Sequence, residues 1–274
     1  MNIRITAIAL SSLLLAACNN SQKSTENNTA TAPTNTVTNI SYTLQNRFPH
    51  DINSFTEGFL VYEGALYEST GATQELPQTK SLFGTVDLKS GKISTKAELN
   101  RDKYFGEGIV FLNGKVYQLT YQTKIGFIYD AKTFKKLGDF SFPSAEGWGM
   151  TTDGTSLIMS DGTNTITYLD PNTFKTVKTL TVSENGYAKD NLNELELING
   201  FLYANIWTKD EIVKIDPATG NIVGKLDLSS LAREARLKNP GALEMNGIAY
   251  DAAANKVYIT GKMWPNIYEI SFNH

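Results

Sequence analysis

The sequence predicts an all-β fold, a five-bladed β-propeller. Three observations predict it: five segments share one rhythm, their starts recur at a propeller's spacing, and helical patterning is nearly absent. The segments are "FTEGFLVYEGALYESTG" (Phe55–Gly71), "FGEGIVFLNGKVYQLT" (Phe105–Thr120), "GWGMTTDGTSLIMSDG" (Gly147–Gly162), "LNELELINGFLYANIW" (Leu192–Trp207) and "MNGIAYDAAANKVYITG" (Met245–Gly261). Each has a polar or glycine-bearing start, an apolar strand, a tight turn with Gly or Asn, and a second strand ending in small polar residues. The starting positions Glu57, Glu107, Trp148, Glu194 and Asn246 lie 50, 41, 46 and 52 residues apart. Periods of about 40–50 residues with four strands each mark propeller blades.

The elements follow in chain order. "ISYTLQNRF" (Ile40–Phe48) reads as a strand that pairs with the last blade and so removes two free edges. After each repeated pair of strands comes a third, as in "LFGTVDLKSGK", "IGFIYDAKTFK", "TITYLDPNTFK" and "EIVKIDPATGN"; the last blade offers "NIYEISFN". The aspartates closing the first four of these, including Asp170 and Asp216, are read as turn-formers that lead to a fourth strand. The one helical stretch, "SLAREARLK" (Ser230–Lys238), fits a short helix inserted between blades.

The N-terminus is an address. Arg4 supplies a positive charge, and Ile5 to Ala17 form an apolar run too short to stay in a bilayer as a spanning helix. The run ends in "LAAC", which resembles the lipobox of bacterial lipoproteins, whose cysteine is acylated and becomes the first residue after cleavage. The expected organisation is a signal peptide over residues 1–17, a lipidated Cys18 with a flexible Asn/Thr/Ser-rich tether over 18–39, and the propeller over 40–274. That places the protein on a bacterial membrane, facing the periplasm or the cell exterior.

Composition removes several classes of function. The chain has 274 residues, a net charge of −3 and no basic cluster, so nucleic acid is not an expected partner. It contains two histidines, His50 and His274, and one cysteine, Cys18. A Cys/His zinc site, a disulfide framework and a cysteine nucleophile in the folded part are excluded, and a Ser-His-Asp triad would have to use one of those two histidines.

In a propeller the innermost strands line the axis, and their starts converge at one mouth. Glu57, Glu107, Trp148, Asn193 or Glu194, and Asn246 are therefore expected together, with a second ring from Ser69-Thr70, Thr120-Tyr121, Ser160-Asp161, Trp207 and Lys262. Carboxylates, tryptophans, an amide and a lysine at one mouth make an apolar-walled pocket with few polar groups, the usual composition of a small-ligand site. Each residue also has a purely structural reading. The two glycine-flanked glutamates can accept backbone N–H bonds, the tryptophans can pack between blades, Asn193 can close a turn, and Lys262 can be a solvated strand end.

Together "PHDINSFTEGFLVYEGALYESTG", "YFGEGIVFLNGKVYQLTYQTKIGFIYD", "GWGMTTDG", "MSDGT", "NLNELELINGFLYANIW", "MNGIAYD" and "YITGKMWPNIYEI" resemble the glutaminyl-peptide cyclotransferases of the plant and bacterial type, from about Tyr42 to Phe272. The resemblance implies a five-bladed propeller that converts the N-terminal glutamine of peptides to pyroglutamate with loss of ammonia and without a metal or other cofactor. It implies Glu107 as proton-shuttling acid/base, Trp148 and Trp207 as pocket tryptophans, Asn193 as the site asparagine and Lys262 as the site lysine. Two positions depart from the family pattern: Glu57 stands where a glutamine is usual, and Tyr121 where a tryptophan is frequent. On this reading Glu107, Glu57 and Lys262 are catalytic; Trp148, Asn193, Trp207, Tyr121 and Asn246 bind substrate. The expected partner is a peptide with N-terminal glutamine, and the expected state is a monomer. Two alternatives are a Ca²⁺-dependent, lactonase-like hydrolase with Glu57, Glu107, Glu194 and Asn246 as oxygen ligands, and a non-catalytic peptide-binding propeller at the cell surface.

Overall fold

Alternating β-branched and aromatic residues, broken by Asn-Gly and Asp-x-x-Thr turns, give five four-stranded antiparallel sheets in the computed structural model, which describes residues 36–274. The expectations for Cys18 and for most of the tether lie outside the described residues. Blade 1 runs Thr56–Tyr62, Ala65–Thr70, Leu82–Val86 and Ile93–Glu98 from the axis outward. Blade 2 follows as Gly106–Leu112, Lys115–Thr120, Ile125–Asp130 and Lys136–Ser141. In blade 3 the two inner strands are three residues each, Met150–Thr152 and Leu157–Met159, ahead of Thr165–Leu169 and Thr176–Thr181. Blade 4 comprises Leu192–Ile198, Phe201–Ile206, Glu211–Ile215 and Ile222–Asp227.

Blade 5 takes three strands from the C-terminus, Met245–Asp251, Lys256–Gly261 and Asn266–Phe272, and its outer strand from the N-terminal side, Tyr42–Pro49. Tyr42 pairs with Phe272 and Pro49 with Asn266, so the closure expected of Ile40–Phe48 is what joins the ring. The chain engages the sheet slightly earlier still: Thr38–Asn39 lies parallel to the outer strand of blade 4, and the Ile40 amide donates to Lys225 O at 2.7 Å. One segment thus stitches blades 4 and 5 together. The helix Ser229–Lys238 connects them on the other side of the sequence and buries Leu231, Ala232 and Ala235.

The turns behave as their residues dictate. Asn113 and Gly114 both take positive φ, as a two-residue hairpin turn requires. The side chains of Asp87, Asp130, Asp170 and Asp216 each accept a backbone N–H two residues on, which confirms them as structural. A small hairpin, Ser183–Glu184 with Tyr187–Ala188, had no counterpart in the repeat and leaves Tyr187 exposed.

The core lies between blades. Tyr62 of blade 1 stacks on Phe111 of blade 2 at 4.1 Å, and the first strands touch their neighbours in ring order. Glu194 braces the ring from inside. It is buried on the axis side of blade 4 and accepts the amides of Phe59 in blade 1, at 3.1 Å, and Ile248 in blade 5, at 2.8 Å. Glu196, two residues on and next on the same strand face, accepts the Tyr250 amide at 3.0 Å. Burial pushes the pKa of Glu194 well above the carboxylate range and that of Glu196 up to about 8.

Candidate active site

The glycines around Glu107 show why a charged residue opens an apolar strand. A side chain at Gly106 would meet Thr70 O at 2.6 Å, and one at Gly108 would meet the Met150 amide at 2.5 Å. The neighbouring backbones come that close because the Gly108 amide donates to Trp148 O at 2.8 Å. Only glycine permits the approach, and the approach is what carries Glu107 to the axis. Ser69 Oγ donates to the Glu107 carbonyl from blade 1, and Ser160 Oγ donates to the Asn193 carbonyl at 2.7 Å. The two backbones bearing polar site residues are therefore tied to the adjacent blade.

One cavity of about 720 Å³ opens at this mouth. Seven of the eight residues expected to act in catalysis or substrate binding line it, Glu57, Glu107, Trp148 and Asn193 from the starts of first strands and Tyr121, Trp207 and Lys262 from the ends of second strands. Asp161 of the expected second ring lines it as well. Asn246 is the exception. It sits one layer behind, fully buried, where its Nδ2 donates to Glu57 Oε2 at 2.9 Å and to Thr56 O at 3.0 Å. Its carboxamide supports Glu57, whose carboxylate stands between it and the cavity.

A further layer of the mouth escaped the sequence reading. The residues two positions before Glu57, Glu107, Trp148, Asn193 and Asn246 are Phe55, Phe105, Glu146, Asn191 and Glu244, and all five line the same cavity. The repeat fixes them there. The amide following a second strand donates to the carbonyl of this upper layer, Tyr121 to Phe105 at 3.1 Å, Trp207 to Asn191 at 2.9 Å and Lys262 to Glu244 at 2.9 Å. Applying the same offset of two residues to every repeat would have found the layer.

The walls are aromatic. Trp148 and Trp207 meet edge to face at 5.7 Å, and Phe105 packs against Phe55 at 5.7 Å and Tyr121 at 5.9 Å. Glu146 accepts the Trp148 indole N–H at 2.9 Å and holds that ring. The floor is ionic. Lys262 Nζ lies 2.7 Å from Glu57 Oε1 and 4.6 Å from the centre of the Phe55 ring. Glu57, Glu107 and Lys262 are 2%, 4% and 6% exposed, so their charges act on one another with little screening. Burial, and then the charge of Glu57, push Glu107 well above the carboxylate range, with Lys262 opposing. Glu57 is raised to about 7 by burial, against the pull of Lys262 and Asn246. Burial works against the Lys262 ammonium, but Glu57 and Glu107 hold its pKa above the ordinary value. The Oδ1 atom of Asn193 is buried and has no hydrogen-bond partner.

The oxygen cage required by a Ca²⁺ reading is not assembled. Glu194 spends both oxygens on backbone amides, Glu57 accepts from Lys262, and Asn246 turns its Nδ2 toward Glu57. Among the described residues no group of three or more His, Cys, Asp or Glu side chains is arranged to hold a metal ion.

Fold and site define a five-bladed propeller with an acid-bearing, aromatic-walled cavity at one mouth of its axis. Residues 10–272 match the sequence pattern described as glutamine cyclotransferase. A protein of Arabidopsis thaliana named glutaminyl-peptide cyclotransferase is 38% identical over 226 residues, spanning 81% of this chain and 68% of that one. The crystal structure of Myxococcus xanthus glutaminyl cyclase superposes with a TM-score of 0.78 at 30% identity, covering 87% of this chain and 99% of that one. The chain belongs to the glutamine cyclotransferase family.

Proposed function

We propose that this protein cyclises the N-terminal glutamine of peptides to pyroglutamate and releases ammonia, with Glu107 as the proton shuttle. The observation that carries the reading is a buried carboxyl of raised proton affinity at the floor of an aromatic-walled cavity. The reaction needs little else. The substrate's α-amine forms a bond to its own side-chain amide carbon, and the bond from that carbon to the amide nitrogen breaks. Folding the side chain into an attacking geometry supplies much of the rate. One proton leaves the amine and one must reach the departing nitrogen.

Glu107 serves both transfers. An α-amine has a pKa of about 7.7–8.0, and general acid–base catalysis is most effective when the partners' proton affinities lie close. A carboxyl raised by burial and by Glu57 approaches that condition. Lys262 faces the developing oxyanion, with Asn193 beside it to orient the substrate through its unpartnered Oδ1. Trp148, Trp207 and Tyr121 clamp the flat amide and keep water from competing with the amine. Incubation with Gln-Ala tests the reading: ammonia release with equimolar pyroglutamyl-Ala is expected, and an unchanged dipeptide contradicts it. Cys18 is further inferred to carry a lipid that holds the enzyme at the outer side of a bacterial membrane, a reading supported by "LAAC" and the polar stretch after it.

A further inference from the structure

We propose that the upper layer of the mouth is a subsite for a cationic side chain, lysine or arginine, in the residues that follow the substrate's glutamine; the proposal rests on the peptide cyclisation argued above. Glu146, Asp161 and Glu244 all face the cavity that holds the reacting group. Glu146 Oε1 and Oε2 accept from Gln122 Nε2 and Trp148 Nε1, each at 2.9 Å, and Asp161 Oδ1 accepts from Thr163 Oγ1 at 2.6 Å. These donors are neutral and leave both charges uncompensated. Among the described residues, none of the three acids forms an ion pair. Lys262, the cation lining the cavity, is occupied with Glu57 at the floor.

A second observation supports seating the substrate's N-terminal residue at the floor. Asn193 is 3% exposed and lines the cavity, yet its buried Oδ1 lacks a donor. A primary ammonium or amine at the floor supplies one. With the N-terminal residue seated there, the chain leaves through the upper layer and carries its next side chains past Glu146, Asp161 and Glu244. The rings of Phe55, Phe105 and Trp207 give the aliphatic stem of a lysine or arginine an apolar surface to lie on. Carboxylates at a low-dielectric cleft favour a cation and repel an acidic residue at the same place.

The test compares kcat/KM for Gln-Lys-Ala, Gln-Ala-Ala and Gln-Glu-Ala at low and high salt. The expected order is lysine, alanine, glutamate, with a spread between the first and last of about tenfold at low salt that shrinks at high salt. The lysine-to-glutamate ratio is expected to fall toward unity in the Asp161→Asn/Glu244→Gln double variant. Equal kcat/KM for the three peptides, or a ratio that the double variant leaves unchanged, overturns the subsite while leaving the cyclisation standing. If none of the peptides releases ammonia, the cyclisation fails and the subsite is read from tryptophan fluorescence titrations of the same peptides. Tighter binding of Gln-Lys-Ala than of Gln-Glu-Ala then upholds it, and equal binding overturns it.

Discussion

Lys262 Nζ donates to Glu57 Oε1 at 2.7 Å, an ion pair that joins the last blade of the ring to the first at the floor of the cavity. Glu57 stands where the family resemblance leads one to expect a neutral amide, so here the lysine's charge is shared with a neighbour that also acts on Glu107. Both donors facing Glu57, Lys262 Nζ and Asn246 Nδ2, find it accepting. On the proposed mechanism Glu57 holds the lysine and lifts the proton affinity of Glu107.

That role has a pH consequence. The ionised form of Glu57 raises Glu107, so Glu57→Gln lowers the proton affinity of Glu107 and frees Lys262 to lower it further. The limb of the pH–rate profile set by deprotonation of the base is expected to move to lower pH, with turnover at its plateau retained. A pH series of kcat with Gln-Ala as substrate checks this; an unmoved limb, or one moved upward, contradicts it.

Gly162 lies under the Trp148 ring. It has a φ of +79°, and a side chain there would meet Trp148 Cζ2 at 2.6 Å. Gly162→Ala is expected to strain the turn by about 1 kcal/mol and to displace the ring. Because small errors in positioning are costly, kcat/KM for Gln-Ala should fall about tenfold. Unchanged kinetics would show that the ring's position does not matter.

Thermal stability should fall as pH rises from mild acid to mild base. Burial raises Glu57 to about 7 and Glu196 to about 8 in the folded chain, and it lifts Glu107 and Glu194 well above the carboxylate range. A raised carboxyl binds more protons folded than unfolded above about pH 4.5, so its contribution is full below that value and is lost as pH climbs through the folded pKa. His50 works in the same direction. Burial opposes its charge, but Glu68, 3.1 Å away, raises its pKa above the ordinary value. Carboxylates with lowered values, such as Glu234 at about 2 beside Arg47, contribute fully throughout this window. A melting temperature several degrees higher near pH 5 than near pH 8 is expected; the reverse order contradicts these assignments.

If Cys18 carries the lipid as proposed, Cys18→Ser should release the protein from the membrane fraction into the soluble one. Fractionation checks it. Retention in the membrane fraction contradicts the anchor.

Periodicity is what made the fold legible. A blade cannot bury its faces alone, so its strand pattern has to repeat, and the starts of the repeats identify the axis. That reasoning placed Glu57, Glu107, Trp148, Asn193, Tyr121, Trp207 and Lys262 around one cavity. It missed what depends on depth along the axis: Asn246 lies behind Glu57, and the layer of Phe55, Phe105, Glu146, Asn191 and Glu244 stands above. Nor could spacing show that Glu194 serves as a brace while adjacent Asn193 faces the cavity. The irregular ladder between Leu192 and Leu195 sets which of the two points where. The pairing of Glu57 with Lys262 joins residues at opposite ends of the chain and is visible only once the ring closes.

On the proposed mechanism Glu107 moves the proton. Glu107→Gln keeps the size and most of the shape of the side chain but cannot take a proton from the amine. Its kcat with Gln-Ala, measured by ammonia release on protein whose melting temperature shows it folded, is the most direct test. A loss of roughly 10²–10⁴-fold, the ordinary worth of general acid–base catalysis, is the predicted result; near-normal turnover in the folded variant would contradict the assignment.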